Sequence, residues 1–171
     1  NPSQVVNSDI KIQRNTFSNG IFVQLSMEKT ESVVVDVSYN IINAATASPW
    51  ATTTTEVSVW VGGTDDVSAD GTGVFVNIVD NKMTGVGAAS VGIEALIEGG
   101  STPTSANVAM NVLRNVLLVD NENGNPMDVK ATISTYLQGT AFINTNMIVS
   151  ENTLRSDYTT IQWSLRSYTS E

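Results

Sequence analysis

An eight-residue pattern recurs five times along this chain: apolar, any, apolar, any, any, Asn, any, apolar. It reads Ile10-x-Ile12-x-x-Asn15-x-Phe17, Val35-x-Val37-x-x-Asn40-x-Ile42 and Val76-x-Ile78-x-x-Asn81-x-Met83. It returns as Met110-x-Val112-x-x-Asn115-x-Leu117 and Met147-x-Val149-x-x-Asn152-x-Leu154. Only the apolar positions and the Asn are shared, so what repeats is a backbone shape with one buried side. Apolar residues at alternate positions mark a strand with one face in a core. The Asn stands where the alternation breaks, and Asn tolerates the left-handed backbone region better than most residues. The expectation is strand, Asn corner, new strand, with the inside face kept inside.

A weaker alternation follows each corner. It runs through Ile21-Phe22-Val23-Gln24-Leu25, Val57-Ser58-Val59-Trp60-Val61 and Ile93-Glu94-Ala95-Leu96-Ile97. Val129-Lys130-Ala131-Thr132-Ile133 and Ile161-Gln162-Trp163-Ser164-Leu165 continue it. Two or more short strands around each Asn corner make one coil of a solenoid, in which each unit buries its core against its neighbours. The corner Asn residues stand 25 to about 40 residues apart. A solenoid absorbs such variation only if the extra residues leave as surface loops.

The five corners, spanning Ile10 to about Leu165, make the chain resemble the right-handed parallel β-helix family of pectate-lyase-like proteins and phage tailspikes. The resemblance implies an all-β domain over 1–171, of about five coils with loop insertions, either entire or a piece of a longer chain. The family includes lyases, hydrolases, epimerases, adhesins and inert shafts. None of its longer catalytic signatures occurs here, so no catalytic residue is carried over. An antiparallel β-sandwich or jelly roll would also show short alternating strands between polar turns. A helix over Ser105–Leu118 is a further reading, since Val108, Val112 and Val116 recur every fourth residue.

Composition narrows the chemistry. With 8 Lys plus Arg against 17 Asp plus Glu, the net charge is -9 and no basic stripe is present, which disfavours nucleic acid and anionic membrane surfaces. No apolar run approaches the roughly 20 residues of a membrane helix, and no signal peptide is recognisable. The chain has 0 Cys and 0 His, which removes disulfides, thiol nucleophiles, zinc sites of the usual kinds and Ser-His-Asp mechanisms. Carboxylate, Lys/Arg and Tyr chemistry remains. Abundant Ser, Thr, Asn, Gly and Val, with no Asn-x-Ser/Thr sequon, suit an extracellular or virion-surface protein of bacterial, archaeal or phage origin.

Candidate sites fall in loops and on outward strand positions. Asp65, Asp66 and Asp70 lie between glycines, and calcium is the one cofactor their hard oxygens would suit, although the spacing is not that of an EF-hand. For glycosidase or lyase chemistry the weak candidates are Glu94, Lys130 and Arg114, because carboxylates on adjacent coils, ~4.8 Å apart, can approach catalytic separations. Asp80, Arg114 and Glu151 each precede a corner Asn and read as an outer acid-base ladder. If the second strands stack in register as aligned above, Phe22, Trp60, Glu94, Lys130 and Gln162 form one outward line, suited to stacking on sugars or to packing against another chain. Tyr39 and Trp50 could extend it.

Three functions are consistent with these features. The first is a non-catalytic structural and recognition module of a surface or phage appendage, homo-oligomeric, contacting glycans or partner chains. The second is a polysaccharide lyase or glycoside hydrolase using carboxylates. The third is a self-assembling filament or coat subunit, since a β-helix has strand edges at both ends that must be capped or used.

Overall fold

The structure, a computed structural model, describes residues 6–27, 30–45, 53–63, 73–86, 89–98, 106–120, 130–139, 142–156 and 158–167. Five coils of three strands follow one another. The first holds β1 (Val6–Gln13), β2 (Thr16–Phe17) and β3 (Ile21–Met27), and the second β4 (Thr30–Ser38), β5 (Ile41–Ala45) and β6 (Thr53–Gly63). The third holds β7 (Gly73–Val79), β8 (Lys82–Val86) and β9 (Ala89–Glu98). The fourth holds β10 (Ala106–Leu113), β11 (Val116–Asp120) and β12 (Lys130–Gly139), and the fifth β13 (Phe142–Ser150), β14 (Thr153–Arg155) and β15 (Tyr158–Ser167).

Equivalent strands pair in parallel to give three five-stranded sheets: β1-β4-β7-β10-β13, β2-β5-β8-β11-β14 and β3-β6-β9-β12-β15. This is a parallel β-helix. The sandwich and the jelly roll fall away, because both need antiparallel neighbours. The helix over Ser105–Leu118 falls away too. Val108 and Val112 are inward positions of one strand, two of its periods apart, while Val116 lies past the corner on the outer side of β11.

The repeat sets the core. Ile10, Val35, Val76, Met110 and Met147 share one inward row, and Ile12, Val37, Ile78, Val112 and Val149 the next. Phe17, Ile42, Met83, Leu117 and Leu154 form the row that restarts burial after the corner. In the inner coils these side chains are sealed, as with Val37, Ile78 and Met83 at 0% exposure. Each such burial is worth roughly 1.5–3 kcal/mol. Their equivalents in the end coils, Ile10, Ile12, Phe17, Met147, Val149 and Leu154, are only partly buried.

The corner between the first and second sheets differs from expectation in one respect. The left-handed residue is not the Asn but the one before it: Arg14, Tyr39, Asp80, Arg114 and Glu151, at φ 53° to 58°. The Asn is occupied otherwise. Its backbone N–H donates to the Oδ1 of the Asn one coil on: Asn15 to Asn40 at 3.0 Å, Asn40 to Asn81 at 3.0 Å, Asn81 to Asn115 at 3.0 Å and Asn115 to Asn152 at 2.9 Å. Its Nδ2 donates to that same oxygen and to a carbonyl one coil back, Asn81 to Val37 and Asn115 to Ile78, each at 2.8 Å. Asn40, Asn81 and Asn115 are buried, so this ladder meets the requirement that interior amides be satisfied.

Candidate functional site

Outside the Asn ladder runs a second ladder made by the left-handed residues. The Arg14 guanidinium lies 5.9 Å from the centre of the Tyr39 ring. Arg114 clasps Asp80 with two parallel bonds, Nε to Oδ1 at 2.9 Å and Nη2 to Oδ2 at 2.8 Å. That clasp, with a further hydrogen bond from Tyr39, holds the Asp80 carboxyl below the usual carboxylate range. Glu151 adds to the field that holds the proton on Arg114. The expected Asp80–Arg114–Glu151 ladder is therefore present, and it extends through Tyr39 to Arg14. Its bidentate pairing occupies Arg114, which stands at the corner and away from Glu94.

The third sheet carries the other candidates, and its register revises the expected outward line. Phe22 pairs with Ser58, Ser58 with Glu94, Glu94 with Ser134 and Ser134 with Gln162. Phe22, Glu94 and Gln162 thus share one row, but Trp60 and Lys130 do not belong to it. Trp60 stands two residues along, in a row running Gln24, Trp60, Leu96, Tyr136. Lys130 stands four residues from Ser134, roughly 13 Å along the strand, and pairs with Tyr158. The structure brings no Lys130–Glu94 couple together. The physical reason is that the alternation in β12 runs unbroken from Lys130 to Leu137, so sequence patterning fits two registers equally.

In place of that couple the structure sets Glu56 beside Glu94. Glu56 pairs with Gly92, two residues before Glu94, which puts the two Cα atoms about 8 Å apart from strand spacing and rise. Gly20 and Gly92 flank Glu56 on either side. A Cβ at Gly20 would collide with the Glu56 carbonyl, and one at Gly92 would come within 3.3 Å of Glu56 Cγ. On the Gly20 side lies a groove of about 530 Å³, lined by Asn19, Gly20, Phe22, Glu56, Ser58 and Glu94 among others. Burial, then the charge of Glu94, pushes the Glu56 carboxyl up from its ordinary value. Phe22, at 67% exposure, is the most open large apolar side chain at the groove.

Three outward rows therefore lie side by side on this face. The first holds Glu56, Gly92 and Thr132; the second Phe22, Ser58, Glu94 and Ser134; the third Gln24, Trp60, Leu96 and Tyr136. Trp60 lies over Gly62, where a Cβ would come within 3.1 Å of its Nε1. Its indole is half-buried, so the ring presents less surface than a free-standing platform would. Glu56 and Tyr136 were missed by the sequence reading. Glu56 had a signal: it continues the outward alternation of Ser58 and Trp60 by one step.

Asp65, Asp66, Asp70 and Trp50 lie outside the described residues, and the Gln162 side chain does too. Among the described residues no group of three or more acidic side chains is placed to hold a metal ion. No protein-family model matches the chain, and no curated protein or solved structure matches it either, so no family is assigned.

Proposed function

We propose that this chain is a rigid structural and recognition module that contacts glycans through the outer face of its third sheet. The observation that carries this reading is the groove in which exposed Phe22 stands beside Glu56, Ser58 and Glu94. Sugar rings present apolar C–H faces that stack on aromatic rings, and hydroxyls that bond carboxylates, amides and alcohols. Two carboxylates favour neutral or amino sugars over uronates. A solenoid holds these groups on paired strands, so little ordering entropy is lost on binding. A surface-exposed setting, extracellular or on a virion, fits a module of this kind.

The test is binding to a panel of neutral, amino and acidic polysaccharides, followed by Phe22→Ala and Glu94→Gln. The expectation is retention of neutral or amino glycans, weakened about tenfold by either change with the fold intact by circular dichroism. Binding that ignores both substitutions, or no binding across the panel, would sink the reading.

One observation favours a second reading. Glu56 has a raised carboxyl beside a second acid on the neighbouring coil, the arrangement of an acid and its partner in glycoside hydrolysis. Release of reducing ends, abolished by Glu56→Gln, would move the protein into that class.

A further inference from the structure

The two ends of the solenoid differ, and they match each other. The Asn ladder has a direction, since every N–H points to the coil above and every Oδ1 to the coil below. At the bottom, where β2 is the outermost strand of its sheet, Asn15 presents an Oδ1 with no coil beneath it among the described residues. At the top, where β14 is outermost, Asn152 has no coil above to receive its N–H among the described residues. Asn15 Nδ2, lacking the carbonyl one coil back that its equivalents use, turns to Gln13 O at 2.9 Å.

The outer ladder also ends unlike to unlike: Arg14 at the bottom, Glu151 at the top. The inward rows end in apolar side chains left partly open, Ile10, Ile12 and Phe17 below and Met147, Val149 and Leu154 above. We infer that these two faces stack head to tail on a second copy of this chain, extending the helix coaxially from one copy to the next.

The register that joins neighbouring coils specifies the junction. Asn152 N–H and Nδ2 donate to the Oδ1 of Asn15 in the next copy, whose Nδ2 is released from Gln13 to reach Val149 O. The N–H of Thr16 in that copy meets Asn152 O, as Ile41 N–H meets Asn15 O within the chain at 2.8 Å. Arg14 of the next copy follows Glu151, continuing the alternation set by Asp80, Arg114 and Glu151. Met147 continues into Ile10, Val149 into Ile12 and Leu154 into Phe17. Beside them Asp9 and Lys11, which pair with each other at 2.6 Å, meet Asn146 and Ile148. Among the described residues of the first two sheets no like charges oppose across this junction. A heterologous contact of this kind does not close, so it builds open filaments.

The experiment is sedimentation velocity with negative-stain imaging of the full chain over a wide concentration range, at about 0.15 M salt. The expected result is concentration-dependent coaxial polymers with an axial repeat of roughly 24 Å, from five coils at ~4.8 Å each. Arg14→Glu and Glu151→Arg should each weaken assembly about tenfold or more by opposing like charges. An equimolar mixture of the two variants should co-assemble, because every junction is again opposite in sign. The melting temperature of each variant serves as a check on its fold.

A monomer at all concentrations would overturn the inference. So would polymerisation only of a chain trimmed to 6–167, which would make the terminal residues the occupants of the end faces. Polymers indifferent to both charge reversals would place the contact elsewhere and overturn it as well.

Discussion

The corner between the first and second sheets and the two other connections of each coil obey opposite rules. At the corner every coil spends the same two residues, one left-handed and one Asn, although the Asn-to-Asn spacing is 25, 41, 34 and 37 residues. Elsewhere the connections range from two residues, as at 87–88 in the third coil, to nine, as at 121–129 in the fourth. The difference lies in where polar groups end up. The corner amides are interior and must bond to one another at fixed height, whereas the other connections are free of that demand and differ in length from coil to coil.

The largest effects should come from breaking the corner itself. A Gly inserted between Asp80 and Asn81 shifts every later inward side chain of that coil outward and should abolish the cooperative unfolding transition. The same insertion between Thr64 and Thr72 should cost no more than about 0.6 kcal/mol. Urea midpoints of the two insertions decide this, and equal losses would remove the distinction. Next comes the ladder. Asn81→Leu strands the Asn40 N–H and the Val37 carbonyl in the interior and should cost about 3–5 kcal/mol, against about 1 kcal/mol for Asn15→Leu, where the Asn is exposed. Equal costs would show that burial does not set the ladder's strength.

A smaller pair probes the left-handed site. Tyr39→Gly should be neutral or stabilise by about 0.5 kcal/mol, since glycine relieves the left-handed conformation but loosens the unfolded chain. Ser38→Gly, one residue earlier in the strand, should cost about 1 kcal/mol. Loss from both would mean that the left-handed backbone carries no strain.

The smallest effects separate corner from groove by pH. The Asp80 carboxyl is lowered by Arg114, so its contribution is present above its ordinary value of 3.8 and is lost as pH falls through the lowered one. Glu56 is raised by burial and then by Glu94, so the opposite holds: stability declines as pH rises from its ordinary value of 4.5 through the raised one. Arg114→Met should flatten the first slope. Glu56→Gln should flatten the second and raise the melting temperature at pH 7 by roughly 1–2 °C. Melting curves across this range test both, and a melting temperature lowered by Glu56→Gln would show that the ionised carboxyl is favourably held.

How much of this was legible differs by face. The inward rows and the five corners could be read one coil at a time, because burial imposes the same demand on every coil. Reading the Asn as the left-handed residue erred for a definable reason. The residue that does turn is Arg, Tyr, Asp, Arg or Glu, side chains of both charges and of none, because they answer to one another across coils and not to a demand that each coil repeats. Glu56 escaped notice because its importance lies in Gly20 and Gly92 beside it, which are remote in sequence.

From the sequence alone, then, came the all-β solenoid, the number of coils and which side of each strand faces in, since these follow from a pattern that each coil must satisfy for itself. Only the tertiary structure decided which outward residues become neighbours. Val57-Ser58-Val59-Trp60 and Lys130-Ala131-Thr132-Ile133-Ser134 can slide by two or four residues and still bury the same side. The choice is made by how many residues each connection consumes before the next strand pairs, a quantity set by closing the coil in three dimensions.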